Sequence, residues 1–123
     1  AEAKAAALDA VEPGATGAEV HQAAAEVYED AGLPTLSSDE TAETGFIHST
    51  GHGVGLDVHE LPHVSPSGGE LEPGHVITIE PGLYDPEVGG VRIEDIVVVS
   101  EGGAAGADHG YENFTDYPED LVV

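Results

Sequence analysis

Residues 46–60 alternate glycines with larger side chains, and this pattern restricts the backbone more than any other stretch of the chain. Glycine stands at positions 51, 53 and 55, and histidine at 48, 52 and 59. Each glycine inside a helix costs about 0.5–1 kcal/mol relative to alanine, so a helix is disfavoured here. In a strand, alternate side chains share one face. We therefore predict a strand with His48, Thr50 and His52 on one face and glycines that let another backbone approach closely.

The histidines of this segment carry two alternative interpretations. Histidine is the commonest metal ligand and the usual general acid or base, which favours a reactive site. The plainer alternative is a glycine-rich strand whose histidines are merely polar. His59 follows His52 by an odd number of residues, so it needs a bend in the chain to reach the same site.

Two helices are predicted before this segment. Residues 1–11 are rich in alanine and indicate the end of a helix, which a Pro-Gly pair terminates. Thr16 followed by Glu19 forms a capping-box pattern, which predicts a second helix that runs to about Ala31. His21 lies on that helix and is interpreted as a surface or packing residue rather than a ligand.

The second half of the chain predicts two apolar strands, at residues 76–80 and 91–99. Because helical patterns come first and strands follow, the predicted class is α+β with an antiparallel sheet. The chain contains no run of about 18 apolar residues, so we expect no membrane-spanning helix.

One glutamate accompanies each apolar strand. Glu80 closes the first strand, and Glu94 lies inside the second, on the same face as Arg92 and opposite Asp95. A buried ionised carboxylate is costly without a compensating cation, and two neighbouring carboxylates also repel each other. A divalent metal removes both problems. Two glutamates and one histidine suit Mn²⁺, Co²⁺, Fe²⁺ or Zn²⁺.

Other interpretations of these carboxylates stay open at this point. Glu94 could pair with Arg92 or lie exposed at a sheet edge, and Glu80 borders a turn. Asp95 is interpreted as a structural acid. Arg92 is one of two basic residues in the chain, and its place inside a strand suggests that it orients a carboxylate.

The charge excludes several partners. Twenty-five acidic residues against two basic ones give a net charge of −23, which repels nucleic acid and anionic membranes. The same charge strains the folded state unless salt screens it, to a Debye length of about 3 Å at 1 M. Cysteine is absent, so neither disulfides nor thiolate ligands are available. We predict a cytoplasmic protein of a salt-accumulating (halophilic) organism, which folds cooperatively in molar KCl.

Three blocks together resemble a known family: FIHSTGHGVGLDVHELP, VITIEPGLY and GGVRIEDIVVV. Their order and spacing are similar to those in the C-terminal half of the pita-bread metallopeptidases. That family includes Xaa-Pro aminopeptidases, Xaa-Pro dipeptidases, methionine aminopeptidases and creatinase. The resemblance implies that residues 1–123 form the C-terminal half of a catalytic domain, with helices packed on a curved antiparallel sheet. The ending of the chain resembles the Xaa-Pro branch.

The resemblance also assigns roles to residues. His52, Glu80 and Glu94 match metal ligands; Glu94 matches the carboxylate that bridges two metals, and Glu80 also matches a proposed base. His59 matches the histidine that contacts the substrate carbonyl and the tetrahedral intermediate. His48 matches a second active-site histidine of the Xaa-Pro branch.

Further expectations concern the cofactor, the substrate and completeness. Arg92 matches an arginine of the Xaa-Pro branch, next to the bridging glutamate. The family pattern implies two divalent ions, with Mn²⁺ preferred and Co²⁺ or Zn²⁺ as alternatives, and a peptide substrate with proline at its second position. Two aspartate ligands of the pattern have no counterpart in this sequence, so the chain alone is expected to be an incomplete, inactive catalytic domain. We also expect a homodimer or self-association through an exposed strand edge.

Other functions remain as alternatives. One is a non-catalytic member of the same fold that binds peptides or proteins. The other is a methionine aminopeptidase-type or creatinase-type hydrolase. Retention of His52, His59, Glu80 and Glu94 together favours an enzyme.

Overall fold

The computed structural model describes residues 1–35, 41, 43–101 and 110–119, and it confirms an α+β fold with helices first. Helices α1 and α2 precede seven short strands. Their bounds are α1 Glu2–Asp9, α2 Gly17–Asp30, β1 Gly51–Gly53, β2 Glu60–Val64, β3 Val76–Ile79, β4 Gly82–Asp85, β5 Gly89–Arg92, β6 Asp95–Val99 and β7 Tyr111–Asn113.

Helix α2 begins with the predicted capping box. The Thr16 hydroxyl accepts from the Glu19 N–H at 3.1 Å, and the Glu19 carboxylate accepts from the Thr16 N–H at 2.8 Å. Both bonds satisfy donors that the first helical turn leaves free. The helix ends at Asp30, and Gly32 adopts a φ of +80°, a conformation that favours glycine.

The larger sheet has the strand order β2-β1-β3-β6-β7, and all its pairs are antiparallel. Its interior strand β1 depends on glycine, as the alternating pattern predicts. A Cβ at Gly51 would lie 1.7 Å from the Thr78 carbonyl oxygen, and one at Gly53 would lie 2.1 Å from the Leu61 carbonyl oxygen. The glycines therefore allow β1 to lie close to the strands on either side of it.

The prediction of one continuous strand at 91–99 is wrong. The structure divides it into β5, which pairs with β4 in a separate two-stranded sheet, and β6, which pairs with β3. Residues 93 and 94 belong to neither strand. Pro81 lies opposite this break and has no N–H to donate to a ladder, which explains the interruption. Glu94 is consequently exposed, whereas Asp95 is buried.

Asp95 is paired with one of the two basic side chains of the chain. Lys4, 5% exposed, donates to Asp95 Oδ1 at 2.9 Å and also contacts Glu119. Asn113 donates to Asp95 Oδ2 at 2.8 Å. These bonds attach α1 and β7 to the beginning of β6, and they support the interpretation of Asp95 as a structural acid.

The apolar core lies between the two helices and the larger sheet. Its largest fully buried members are Phe46, Leu71, Ile77, Ile79, Val11, Val20, Val64, Val97 and Val99. Within the described residues, neither helix combines the length and the apolar character that a membrane span requires.

Candidate metal centre

The two glutamates singled out by sequence face each other at the break between the two sheets. Strands β3 and β6 pair Ile79 with Asp95, so one further step in the same register places Glu80 opposite Glu94. Beyond the break, Gly82 pairs with Arg92 and continues that register. Directly opposed residues of an antiparallel pair lie on the same face of the sheet. The hairpin therefore presents two carboxylates side by side.

His52 completes the cluster from the neighbouring strand β1. Ligand atoms of His52, Glu80 and Glu94 all lie within 4.8 Å of one another, a separation that small side-chain rotations bring to a shared cation. His52 Nε2 is 3.8 Å from Glu80 Oε2. The structure thus brings together the three predicted metal ligands.

The hydrogen bonding of His52 suits metal coordination. Its Nδ1 lies 2.9 Å from the carbonyl oxygen of Gly53, which can only accept, so Nδ1 carries the proton. In the neutral ring, Nε2 then keeps its lone pair, and this is the nitrogen nearest Glu80. A backbone carbonyl that fixes the tautomer of a ligating histidine is a recurrent feature of metal sites.

The electrostatics of the cluster call for a cation. The pKa of Glu94 is raised above its ordinary value, first by partial desolvation and then by a hydrogen bond with Glu80 and the negative charge of that neighbour. The positive character of His52 and Arg92 opposes this rise. Arg92 Nη1 lies 3.6 Å from Glu80 Oε1, and its side chain is 49% exposed, so the arginine offsets only part of the repulsion.

A divalent ion fits this donor set. Two carboxylates and one imidazole with a free Nε2 match the ligands that Mn²⁺, Co²⁺ and Zn²⁺ accept. Ion binding would also relieve the repulsion that raises the Glu94 pKa. Arg92 pairs with Glu80 rather than with Glu94, so the alternative of an Arg92–Glu94 ion pair is not what the structure contains. The alternative of edge exposure describes Glu94 itself, although it lies within the cluster.

A cleft of about 310 Å³ opens beside the cluster. Its lining includes the other residues that the sequence predicted for the site: His48, His59 and Arg92. The rings of His52 and His59 are 4.6 Å apart between centroids and nearly perpendicular. The bend that His59 required is formed by the irregular residues 54–59.

His48 approaches the cleft as a neutral ring. Its Nδ1 donates to the Ser49 carbonyl oxygen, and its Nε2 is buried next to Gly82. Burial is the main cause that lowers the pKa of His48. The ring packs against Phe46 on one side and Tyr84 on the other. His48 therefore forms part of the wall of the cleft, with its ring held between Phe46 and Tyr84.

Two details of the site differ from the sequence analysis. Thr50 does not line the cleft that contains His48 and His52. The Thr50 hydroxyl instead lies 2.9 Å from Nδ1 of His21, which is buried and is a packing residue. His63 belongs to a Pro/Gly-punctuated stretch that predicts a solvated residue, and in the structure it is exposed and lines the same cleft. Its place eleven residues after His52, two positions along β2 from Leu61, gives no periodic signal that could have identified it.

Comparison with known proteins identifies the family of the chain. The sequence model of metallopeptidase family M24 matches residues 1–101, which include all three candidate ligands. The chain belongs to metallopeptidase family M24. This membership confirms the resemblance that the three sequence blocks carry.

Individual relatives of this M24 chain point to one branch. The chain is 45% identical over 104 residues to an Xaa-Pro dipeptidase of Pyrococcus furiosus, covering 84% of this chain and 27% of that protein. It superposes on an Xaa-Pro dipeptidase from Bacillus anthracis with a TM-score of 0.78 and 34% identity, covering 98% of this chain and 30% of the other. For an X-Pro aminopeptidase from Thermotoga maritima the TM-score is 0.77 with 33% identity, over 97% and 30% of the two chains. The M24 chain thus spans less than a third of these relatives.

Proposed function

We propose that this chain supplies one histidine and two glutamate ligands to the catalytic centre of a metal-dependent exopeptidase that cleaves the Xaa-Pro bond of peptides or dipeptides. The convergence of His52, Glu80 and Glu94 within 4.8 Å carries the proposal. The names of the relatives support the Xaa-Pro specificity over the methionine aminopeptidase-type and creatinase-type alternatives.

The residues divide the chemistry among them. His52, Glu80 and Glu94 would hold the metal, and Glu94 is proposed as the ligand shared between two ions. When bound, such ions lower the pKa of water and polarise the scissile carbonyl. Glu80 is the proposed base and takes a proton from the attacking water at its carboxylate. His59, exposed beside His52, donates a hydrogen bond to the carbonyl oxygen as negative charge develops on it.

Substrate contacts are proposed for the remaining cleft residues. The half-exposed Arg92 guanidinium lies beside the cluster and attracts a substrate carboxylate. His48, which lines the cleft, is proposed as a second histidine that contacts the substrate. A peptide with proline at its second position is the proposed substrate, and Mn²⁺ is the proposed ion. A salt-rich cytoplasm is the proposed compartment, on the evidence of the net charge of −23.

The described residues contribute three ligands to this centre, whereas two ions need more. We therefore propose that residues 1–123 are the C-terminal half of the catalytic domain and have little peptidase activity alone. Self-association or dimerisation is proposed through the strand edges of β2 and β7, which have no partner on their outer side within the described sheet.

The test is a calorimetric titration of the chain with MnCl₂ in molar KCl, followed by incubation with an Xaa-Pro dipeptide. We expect Mn²⁺ binding that is lost in Glu80→Gln and in Glu94→Gln, with negligible turnover. Glu70→Gln is the matched control, because Glu70 is an exposed glutamate that belongs neither to the cluster nor to the cleft lining. Wild-type chain that binds no Mn²⁺ would refute the metal site. Brisk hydrolysis by the chain alone would refute its incompleteness.

A further inference from the structure

The backbone of His52 is attached to the strand that carries Glu80. Thr50 and Val54, on either side of His52, bond to β3 and its continuation: Glu80 N–H donates to the Thr50 carbonyl at 2.6 Å, and Val54 N–H donates to the Val76 carbonyl at 2.9 Å. Between these two bonds, the His52 N–H donates to a side chain, the hydroxyl of Thr78, at 3.1 Å.

Thr78 is rigidly held where this bond forms. Its side chain is 2% exposed, and its backbone pairs with Ile96 in the neighbouring strand β6. It also lies two residues before Glu80 in the chain, so the same short strand carries the acceptor for one ligand and leads directly into the next. A Cβ at Gly51 would meet the Thr78 hydroxyl at 3.1 Å, and the absence of a side chain there leaves room for the bond.

We propose that Thr78 is a positioning residue of the metal centre, which acts through His52. Its hydroxyl fixes the backbone of His52 where the register between β1 and β2 shifts, and it thereby sets the distance between His52 Nε2 and Glu80. The proposal rests on the proposed function, because positioning matters only if these residues bind a metal. Residues that hold metal ligands in place typically change metal affinity by about 10–100-fold when they are lost.

Thr78→Val removes the hydroxyl and keeps the shape of the side chain. The partly buried His52 N–H then loses this acceptor, and the ligand gains freedom to shift along β1. Thr78→Ser restores the hydroxyl with one methyl fewer. Thr50→Val is the matched control. Thr50 is fully buried two residues before His52, but its hydroxyl bonds to His21 and not to a proposed metal ligand.

The experiment titrates the full chain and these three variants with MnCl₂ in molar KCl by calorimetry. A parallel measurement records amide hydrogen exchange at His52 by NMR without metal. Thr78→Val should weaken Mn²⁺ binding about tenfold or more and speed exchange of the His52 amide. Thr78→Ser should resemble wild type in both measurements. Thr50→Val should lower the melting temperature, with neither change at His52.

The outcomes separate this proposal from the proposed function. If the wild-type chain binds no Mn²⁺, the proposed metal site is refuted. The exchange data then test only whether the Thr78 hydroxyl fixes the backbone of His52. Equal Mn²⁺ affinity in Thr78→Val and Thr50→Val would overturn the positioning role. So would slow exchange of the His52 amide in Thr78→Val, or failure of Thr78→Ser to restore binding. If Thr78→Val does not fold, the comparison between Thr78→Ser and Thr50→Val still decides it, since weakened binding in the serine variant contradicts the proposal.

Discussion

Lowering the pH from about 7.5 to about 4 is expected to destabilise the fold through one buried imidazole. His21 is 1% exposed, lies against Phe46 and is held by the Thr50 hydroxyl. Its pKa is lowered from 6.5 to about 4, chiefly because burial disfavours the charged ring and secondarily because His48 lies near. The unfolded chain therefore binds a proton to this residue at a pH where the folded chain does not.

The magnitude follows from that difference in pKa. Above pH 6.5 the ring is neutral in both states, so His21 adds no pH dependence there. Between pH 6.5 and about 4 the unfolded state alone is protonated, and stability falls by about 1.4 kcal/mol for each pH unit. The total loss approaches about 3 kcal/mol, and it levels off at lower pH because both states are then charged. A urea m-value of about 1–3 kcal/mol/M turns this loss into a midpoint shift of about 1–3 M.

Urea unfolding of wild type and His21→Asn in molar KCl, at pH values across this window, measures the effect. Asparagine can still bond to Thr50 but does not titrate here, so the variant retains only the pH dependence of the remaining groups. We expect the wild-type free energy of unfolding to fall more steeply than that of the variant, whatever their difference at neutral pH. Parallel curves would refute the buried neutral imidazole.

Three further results are expected. Glu94→Gln removes one of two opposed carboxylates, so the chain without added metal should melt at a higher temperature than wild type. Mn²⁺ should no longer raise the melting temperature of this variant. A persisting effect of Mn²⁺ would contradict the role of Glu94 as a ligand. Lys4→Met leaves the buried Asp95 without its cation and should cost about 3–5 kcal/mol in urea unfolding, and adding Asp95→Leu should recover much of that loss. A double variant no more stable than the single one would argue against the ion pair. Gly51→Ala places a methyl 1.7 Å from a carbonyl oxygen of β3 and should abolish the protection of β1 amides from hydrogen exchange. Gly69→Ala, with open space around its Cβ, should melt like wild type. Equal effects of the two variants on exchange and melting would show that β1 does not need glycine.

The sequence predicts those features that depend on neighbouring residues. The Thr16–Glu19 capping box, the helix it begins and the strand before Glu80 all follow from local patterns, and the structure contains them. The glycine alternation predicts a close backbone approach because the missing side chain is itself the cause. These predictions succeed since each depends on chemistry within a few residues.

Features that depend on a partner strand could not be predicted from the sequence. The apolar run at 91–99 has a strand pattern throughout, but its break is imposed by Pro81 on the opposite strand. The hydroxyl of Thr50 finds its partner on another element, the buried His21 of α2. His63 joins the cleft only because β2 folds back along β1.

The site and the break in the hairpin have a common origin. A hairpin selected only for stability would not place two carboxylates opposite each other, since like charges across a strand pair are destabilising. Here the opposition falls where Pro81 has already interrupted the ladder, so neither Glu80 nor Glu94 occupies a position in the core strands. Partial desolvation and then the neighbouring Glu80 raise the pKa of Glu94, so the opposed pair adds to the cost of keeping this carboxylate ionised. Gly51 brings β1 close enough for His52 to reach the same point. The glycine row, the proline and the two glutamates are therefore parts of one arrangement. A bound cation would offset the repulsion between its two carboxylates.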